Sequence, residues 1–289
     1  MIVGHKEIID QLKNLADSQS LFHGYIFFGP SRVGKKTVAL SLANYLENKI
    51  FDKPQKILSD FFEINSDRIN ESNTEKQSAL EEIRAIKNFL LQSPNVSPYR
   101  LVLIDNAENL NHFGQNALLK ISEEPQKYSL IILICRDPEL LLPTLYSRFQ
   151  KIYFGLVEDK KIEKWLISEF KIKKEDAEKI VKDSFGLPGV SYALLKEEIF
   201  QKNINNAKIF LKLKEKEKIN FIKELIDKAK EKGDFDMDSY LEALMFALKE
   251  VNKNNMEIWK KILKLRMDFS FYNLNPKLQL VALSQFLEK

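Results

Sequence analysis

The first half of the chain is marked by short blocks of nearly continuous apolar residues. They occupy positions 25–28, 61–64, 101–104, 130–135 and 151–154. Between them the apolar positions change to helical spacing, as at Ile8, Ile9, Leu12, Leu15 and Ala16, and again at Ile83, Ile86, Phe89 and Leu90. A strand that reads apolar at successive positions is buried on both faces. Strands of this kind alternating with helices predict a parallel sheet covered on both sides. The expected helices cover parts of residues 2–20, the stretch up to about residue 48, and residues 79–91, 115–122 and 138–146. Residues 65–76 are polar and expected to be exposed, and 93–98 form a Ser/Pro turn cluster.

The strand pattern stops at residue 158. Two helices are expected at 158–170 and 175–184, and a third follows Gly186-Leu187-Pro188-Gly189. From residue 200 the apolar spacing is helical to the end, with a turn at Gly233-Asp234. A last helix is expected to open at Asn275-Pro276, where the asparagine caps and the proline suits the first helical position. The fold class is therefore α/β followed by all-α. The expected domains are 1–155, a nucleotide-binding-like sheet domain, 156–198, a three-helix lid, and 199–289, a helical domain.

Composition narrows the function. The chain is 44% hydrophobic and 30% charged, which is the make-up of a folded globular protein. Net charge is +4, so no overall polycation argues for tight DNA binding by the chain alone. The single cysteine, Cys135, excludes a disulfide framework and any multi-cysteine zinc site. No apolar stretch has the length of a membrane span, and the N-terminus lacks the order of a signal peptide, so a cytoplasmic protein is expected. The aromatic residues sit at strand and helix spacing, which assigns them to the core rather than to base stacking.

The candidate chemistry begins at residue 29. Gly29-Pro30-Ser31-Arg32-Val33-Gly34-Lys35-Lys36-Thr37 follows the first apolar block and opens a helix. Gly29 and Gly34 allow a tight turn with N–H groups facing inward, and Lys35 adds charge at a helix start. This is the arrangement of a phosphate-cradling loop. The hydroxyl that should follow Lys35 and ligate Mg²⁺ is displaced: Lys36 stands there, and Thr37 comes one place late. Asp105, directly after the block at 101–104, has the position of a residue that holds a nucleotide-bridging metal. The next residue, Asn106, cannot accept a proton, and Glu108 is expected to point elsewhere from the following turn.

Two further segments carry a resemblance. They are Asn116-Ala117-Leu118-Leu119-Lys120-Ile121-Ser122-Glu123-Glu124-Pro125 and Leu142-Pro143-Thr144-Leu145-Tyr146-Ser147-Arg148-Phe149-Gln150. Together with the loop and Asp105-Asn106-Ala107-Glu108, the chain resembles bacterial DNA polymerase III clamp-loader subunits of the AAA+ class, most of all the delta-prime subunit. The resemblance extends to residues 23–27, 186–189 and 275–278. It implies a stator in a five-membered assembly with gamma/tau and delta subunits, within a DNA-directed DNA polymerase holoenzyme that loads a sliding clamp onto primed DNA. It implies that Arg148, in Ser147-Arg148-Phe149, acts in trans as an arginine finger on a neighbour's ATP, although the family's cysteine after the arginine is Phe149 here.

The resemblance also implies that Gly29, Gly34, Lys35, Thr37 and Asp105 form a degenerate ATP site. In active relatives the lid carries an arginine where this chain has Gly189, and the strand-end sensor falls near Cys135-Arg136 without its usual Thr or Asn. The expectation is little or no ATP hydrolysis by this subunit. The alternative within the same fold is an active gamma-type ATPase subunit. Many relatives carry a four-cysteine zinc module after the loop helix. Residues 48–62 contain no cysteine, so no zinc is expected.

Overall fold

The protein is described from a computed structural model, which covers residues 2–66, 75–230, 235–250, 256–271 and 274–287. Gly233-Asp234 and most of the polar stretch at 65–76 lie outside these residues. The chain divides into two compact units, Met1–Ser191 and Tyr192–Lys289.

The first unit opens with helix α1 (Lys6–Asp17), strand β1 (Gly24–Phe28) and helix α2 (Lys35–Asn48). Then come β2 (Phe61–Asn65), α3 (Glu75–Leu91), β3 (Arg100–Asp105), α4 (His112–Glu123) and β4 (Ser129–Cys135). A four-residue helix α5 (Pro143–Tyr146) leads into β5 (Gln150–Tyr153). All neighbouring strands are parallel, in the order β2-β3-β4-β1-β5.

The continuous apolar runs are explained by two cores. Side chains alternate between faces along a strand. Tyr25, Phe27, Leu101, Leu103, Leu130 and Ile132 pack with Leu12, Val38 and Leu42 from α1 and α2 on one face. Ile26, Val102, Ile104, Ile131 and Leu133 pack with Ile83, Ile86, Leu118 and Leu145 on the other. Both faces are covered along 130–135, where every residue is buried and none is charged.

Helix 138–146, expected as one element, is two. A 3₁₀ turn (Pro138–Leu140) ends, Leu142 is extended at φ −55° and ψ 133°, and α5 restarts at Pro143. A proline disfavours helical geometry in the residue before it, which accounts for the break. Helices α6 (Asp159–Phe170), α7 (Lys174–Ser184) and the start of α8 (Pro188–Lys196) complete the first unit.

The second unit is helical throughout: α9 (Glu198–Lys212), α10 (Glu215–Lys230), α11 (Met237–Glu250), α12 (Met256–Phe271) and α13 (Pro276–Phe286). Phe210, Ile222, Tyr240, Leu244, Ile262 and Leu280 form its centre. Arg266 on α12 reaches both carboxylate oxygens of Asp238 on α11, at 2.7 and 2.8 Å. Asn275 caps α13 by accepting from the Lys277 and Leu278 N–H groups, as its position before Pro276 predicts. No helix among the described residues is long and apolar enough to cross a membrane.

Candidate functional site

The glycines of the loop after β1 take the positive φ expected of a tight turn, and the Gly29 N–H donates to the Arg136 carbonyl at 3.2 Å. Gly29 sits at φ 131°, where a Cβ would collide with the Phe154 carbonyl, and Gly34 sits at φ 114° as it opens α2. Arg32 also takes a left-handed conformation, φ 59°. The carboxyl ends of β1, β3 and β4 converge here, which brings Asp105 and Cys135 to the loop.

Both lysines of the loop are engaged with the protein's own oxygens. Lys35 is 6% exposed, and its ammonium donates to the Gly29 and Pro30 carbonyls at 2.5 and 2.8 Å. Burial pushes the Lys35 pKa down to about 8, against the pull of the Glu108 and Cys135 groups and Asp105. Lys36 lies in the first turn of α2 over the β2–β3 edge. Its ammonium is 2.6 Å from Glu63 Oε1 and 3.1 Å from Asp105 Oδ2. Burial works against the Lys36 charge, but the Glu63 and Asp105 carboxylates outweigh it and hold its pKa above the ordinary lysine value. Glu63 and Asp105 meet because Glu63 pairs with Leu103, which puts positions 63 and 105 on the same face of adjacent strands. Thr37 is half-buried on α2, one residue beyond Lys36.

These residues do not fit a phosphate-bridging Mg²⁺. The ion needs oxygen ligands in near-octahedral geometry, and a protonated lysine supplies none. A divalent cation about 4 Å from the ammonium would meet repulsion on the order of 8 kcal/mol at an effective dielectric of 20.

Glu108 is placed differently from expectation. It is 4% exposed, and its Oε1 accepts from the Arg136 backbone N–H at 3.1 Å. Its Oε2 is buried without a hydrogen-bond partner. Burial raises its pKa, opposed by hydrogen bonding to Arg136 and by the Arg136 and Lys35 charges. The signal for this was faint: a 3₁₀ turn over Ala107–Asn109, begun by Asn106 at φ 53°, turns Glu108 inward. Asn106 donates its N–H to Asp105 Oδ1 at 3.1 Å.

Gly189 contacts the loop directly. Its N–H donates to the Arg32 carbonyl at 2.8 Å, and a Cβ there would lie 2.7 Å from that oxygen. The third residue after Gly186 thus abuts the loop through its backbone and leaves no space for a side chain. Gly189→Arg is expected to lower stability by about 1–3 kcal/mol, the usual cost of overpacking, and to bring no gain in ATP turnover. Chemical denaturation and a phosphate-release assay check both.

Arg148 lies elsewhere. It precedes β5, whose first residue Gln150 pairs with Tyr25, so it sits at the strand-start end of the sheet. The loop leaves from the other end, after Phe28 beside Tyr153. Four strand residues at about 3.3 Å each separate the two levels by roughly 13 Å. The guanidinium donates to the Thr144 carbonyl at 2.9 Å and to Glu123 Oε1 at 3.1 Å. The structure thus brings together Gly29, Gly34, Lys35, Thr37 and Asp105, and keeps Arg148 apart from them.

Comparison with known proteins gives this arrangement a family. The family described as "DNA polymerase III, delta subunit" matches residues 4–158, over half of the 289 residues. The replication factor C small subunit of Methanococcus vannielii is 30% identical over 149 residues, which cover 51% of this chain and 42% of that protein. DNA polymerase III subunit tau of Bacillus subtilis is 28% identical over 166 residues, covering 56% of this chain and 30% of that one. The matched stretch therefore spans less than half the length of either relative. Among solved structures, a DNA polymerase III gamma subunit-related protein of Thermotoga maritima superposes with a TM-score of 0.57 at 22% identity, over 96% of this chain and 98% of that one. A RuvB variant from the same organism gives 0.51 at 19% identity, over 70% and 63%. These two likenesses establish the AAA+ type of fold.

Proposed function

Because the chain belongs to the family described as DNA polymerase III, delta subunit, we propose that it is the delta-prime-like member of a clamp loader. In this reading it is a stator that assembles with gamma/tau and delta subunits and lends Arg148 to the ATP site of a neighbour. The assembly then loads a sliding clamp onto primed DNA. The segment 156–198 serves as the lid, and 199–289 as the collar that joins subunits.

The observation that carries the reading is the contrast between the two ends of the sheet. At the loop end, Lys36 and Asn106 replace the metal-binding hydroxyl and the catalytic acid, and the Gly189 backbone abuts Arg32. At the strand-start end, Arg148 is partly exposed and carries a guanidinium that is always charged and matches phosphate geometry. An arginine about 13 Å of strand away from its own loop does not serve that loop, which supports a role on another chain's nucleotide.

The rival is an active gamma-type ATPase subunit, whose relatives share the aligned half. Turnover separates the two. The isolated chain is expected to release phosphate from Mg-ATP at no more than background rate. Steady hydrolysis by the purified chain, abolished by Lys35→Ala, would establish the rival. Copurification with gamma/tau and delta subunits tests the partners.

A further inference from the structure

Lys36 does more than vacate a ligand position. Its ammonium is seated on two acidic side chains at the loop, Glu63 at 2.6 Å and Asp105 at 3.1 Å. These come from adjacent strands β2 and β3, and Lys36 comes from the start of α2. One cation therefore joins three elements at the mouth of the loop. Lys35 is equally engaged, on the Gly29 and Pro30 carbonyls.

We propose that the Lys36 ammonium is a built-in replacement for the divalent cation, so that the loop is a metal-free joint held together by the protein's own charges. The acidic pair would otherwise be a site for a hard cation, since two carboxylates at a strand edge repel each other and attract Mg²⁺ or Mn²⁺. The ammonium neutralises part of that charge through a covalently attached group, at a local concentration no free ion matches. The joint fixes α2 to the sheet whether or not nucleotide or metal is present in solution.

The inference rests on the degenerate-pocket reading, and the two fail differently. ATP turnover by the natural chain would defeat that reading, whereas metal uptake without turnover would defeat this one. The probe is Mn²⁺ alone, followed by electron paramagnetic resonance on the full chain. The natural protein is expected to leave the free-ion signal unchanged at millimolar Mn²⁺. Lys36→Thr, which frees both carboxylates, is expected to take up Mn²⁺ stoichiometrically and to lose it again when Glu63→Gln is added. Its thermal midpoint is expected to rise with added Mn²⁺, while that of the natural protein stays constant. Should Lys36→Thr not fold, Lys36→Gln keeps the stem without the charge and is read in the same way. Stoichiometric uptake by the natural chain overturns the proposal. So does a folded, uncharged variant that binds no Mn²⁺, because the two carboxylates would then not be a cation site.

Discussion

Replacing Arg148 by alanine is expected to cost the neighbouring ATP site about 10³-fold or more in turnover once the loader is reconstituted with gamma/tau and delta subunits. That is the scale on which an arginine finger supplied in trans stabilises charge on a transferring phosphoryl group. The rate of the whole assembly falls less, because sites not served by this subunit keep working. The chain itself should fold normally. Arg148 and Glu123 are 36% and 45% exposed, and an ion pair this open contributes only about 0.2–1 kcal/mol. Glu123→Gln is the matched control. It releases the guanidinium without removing it, so turnover should be retained. A steady-state ATPase assay of the three assemblies, with clamp and primed DNA present, gives the answer. Equal turnover in the natural and Arg148→Ala assemblies would leave a scaffold without a finger.

The largest effect on stability is expected at Asp60, at the strand-start edge of the sheet. This carboxylate is 2% exposed and accepts four N–H···O bonds from three successive backbone groups, Asn95, Val96 and Ser97, at 2.7–3.0 Å. The buried Arg100 guanidinium lies 3.8 Å away and is itself held by the Ser93 carbonyl. Alanine at position 60 would strand three backbone donors, one of them on buried Ser97, beside a buried cation. Breaking such a set typically costs about 3–5 kcal/mol, and urea unfolding at neutral pH measures it.

The same group sets an acid limit. Burial alone would raise the Asp60 pKa, but the N–H donors of Ser97, Val96 and Asn95 and the Arg100 charge hold it below the ordinary carboxylate value. Its contribution is therefore complete above the unfolded-state pKa of about 3.9 and is lost as pH falls through the lower, folded value. Asp60→Asn should remove this part of the acid dependence while keeping one acceptor. An unchanged acid profile in that variant would assign the dependence to other groups.

The turn that Asp60 organises was visible in the sequence only as a Ser/Pro cluster at 93–98. Its anchor lies more than thirty positions earlier, at the head of a different strand. The same division runs through the candidate site. The loop, Asp105 and Arg148 were readable as candidates because each depends on a few adjacent residues: a glycine where φ is positive, an acid at the end of an apolar run, an arginine in a short motif. Glu63 gave only the weak sign of one charge inside an apolar strand.

Sequence alone determined the parallel sheet, the helical second half and the Asn275 cap, because side-chain periodicity and backbone preference act over a few residues. It also showed that Lys36, not a hydroxyl residue, follows Lys35 in the loop. Only the tertiary structure decided what took over. Strand order set β2 beside β3 and so put Glu63 and Asp105 under one ammonium, the return of the chain at Gly186 laid Gly189 against Arg32, and burial turned Glu108 inward. These are contacts between residues far apart in the chain, fixed by how the layers pack, and no local pattern encodes which distant partner will arrive.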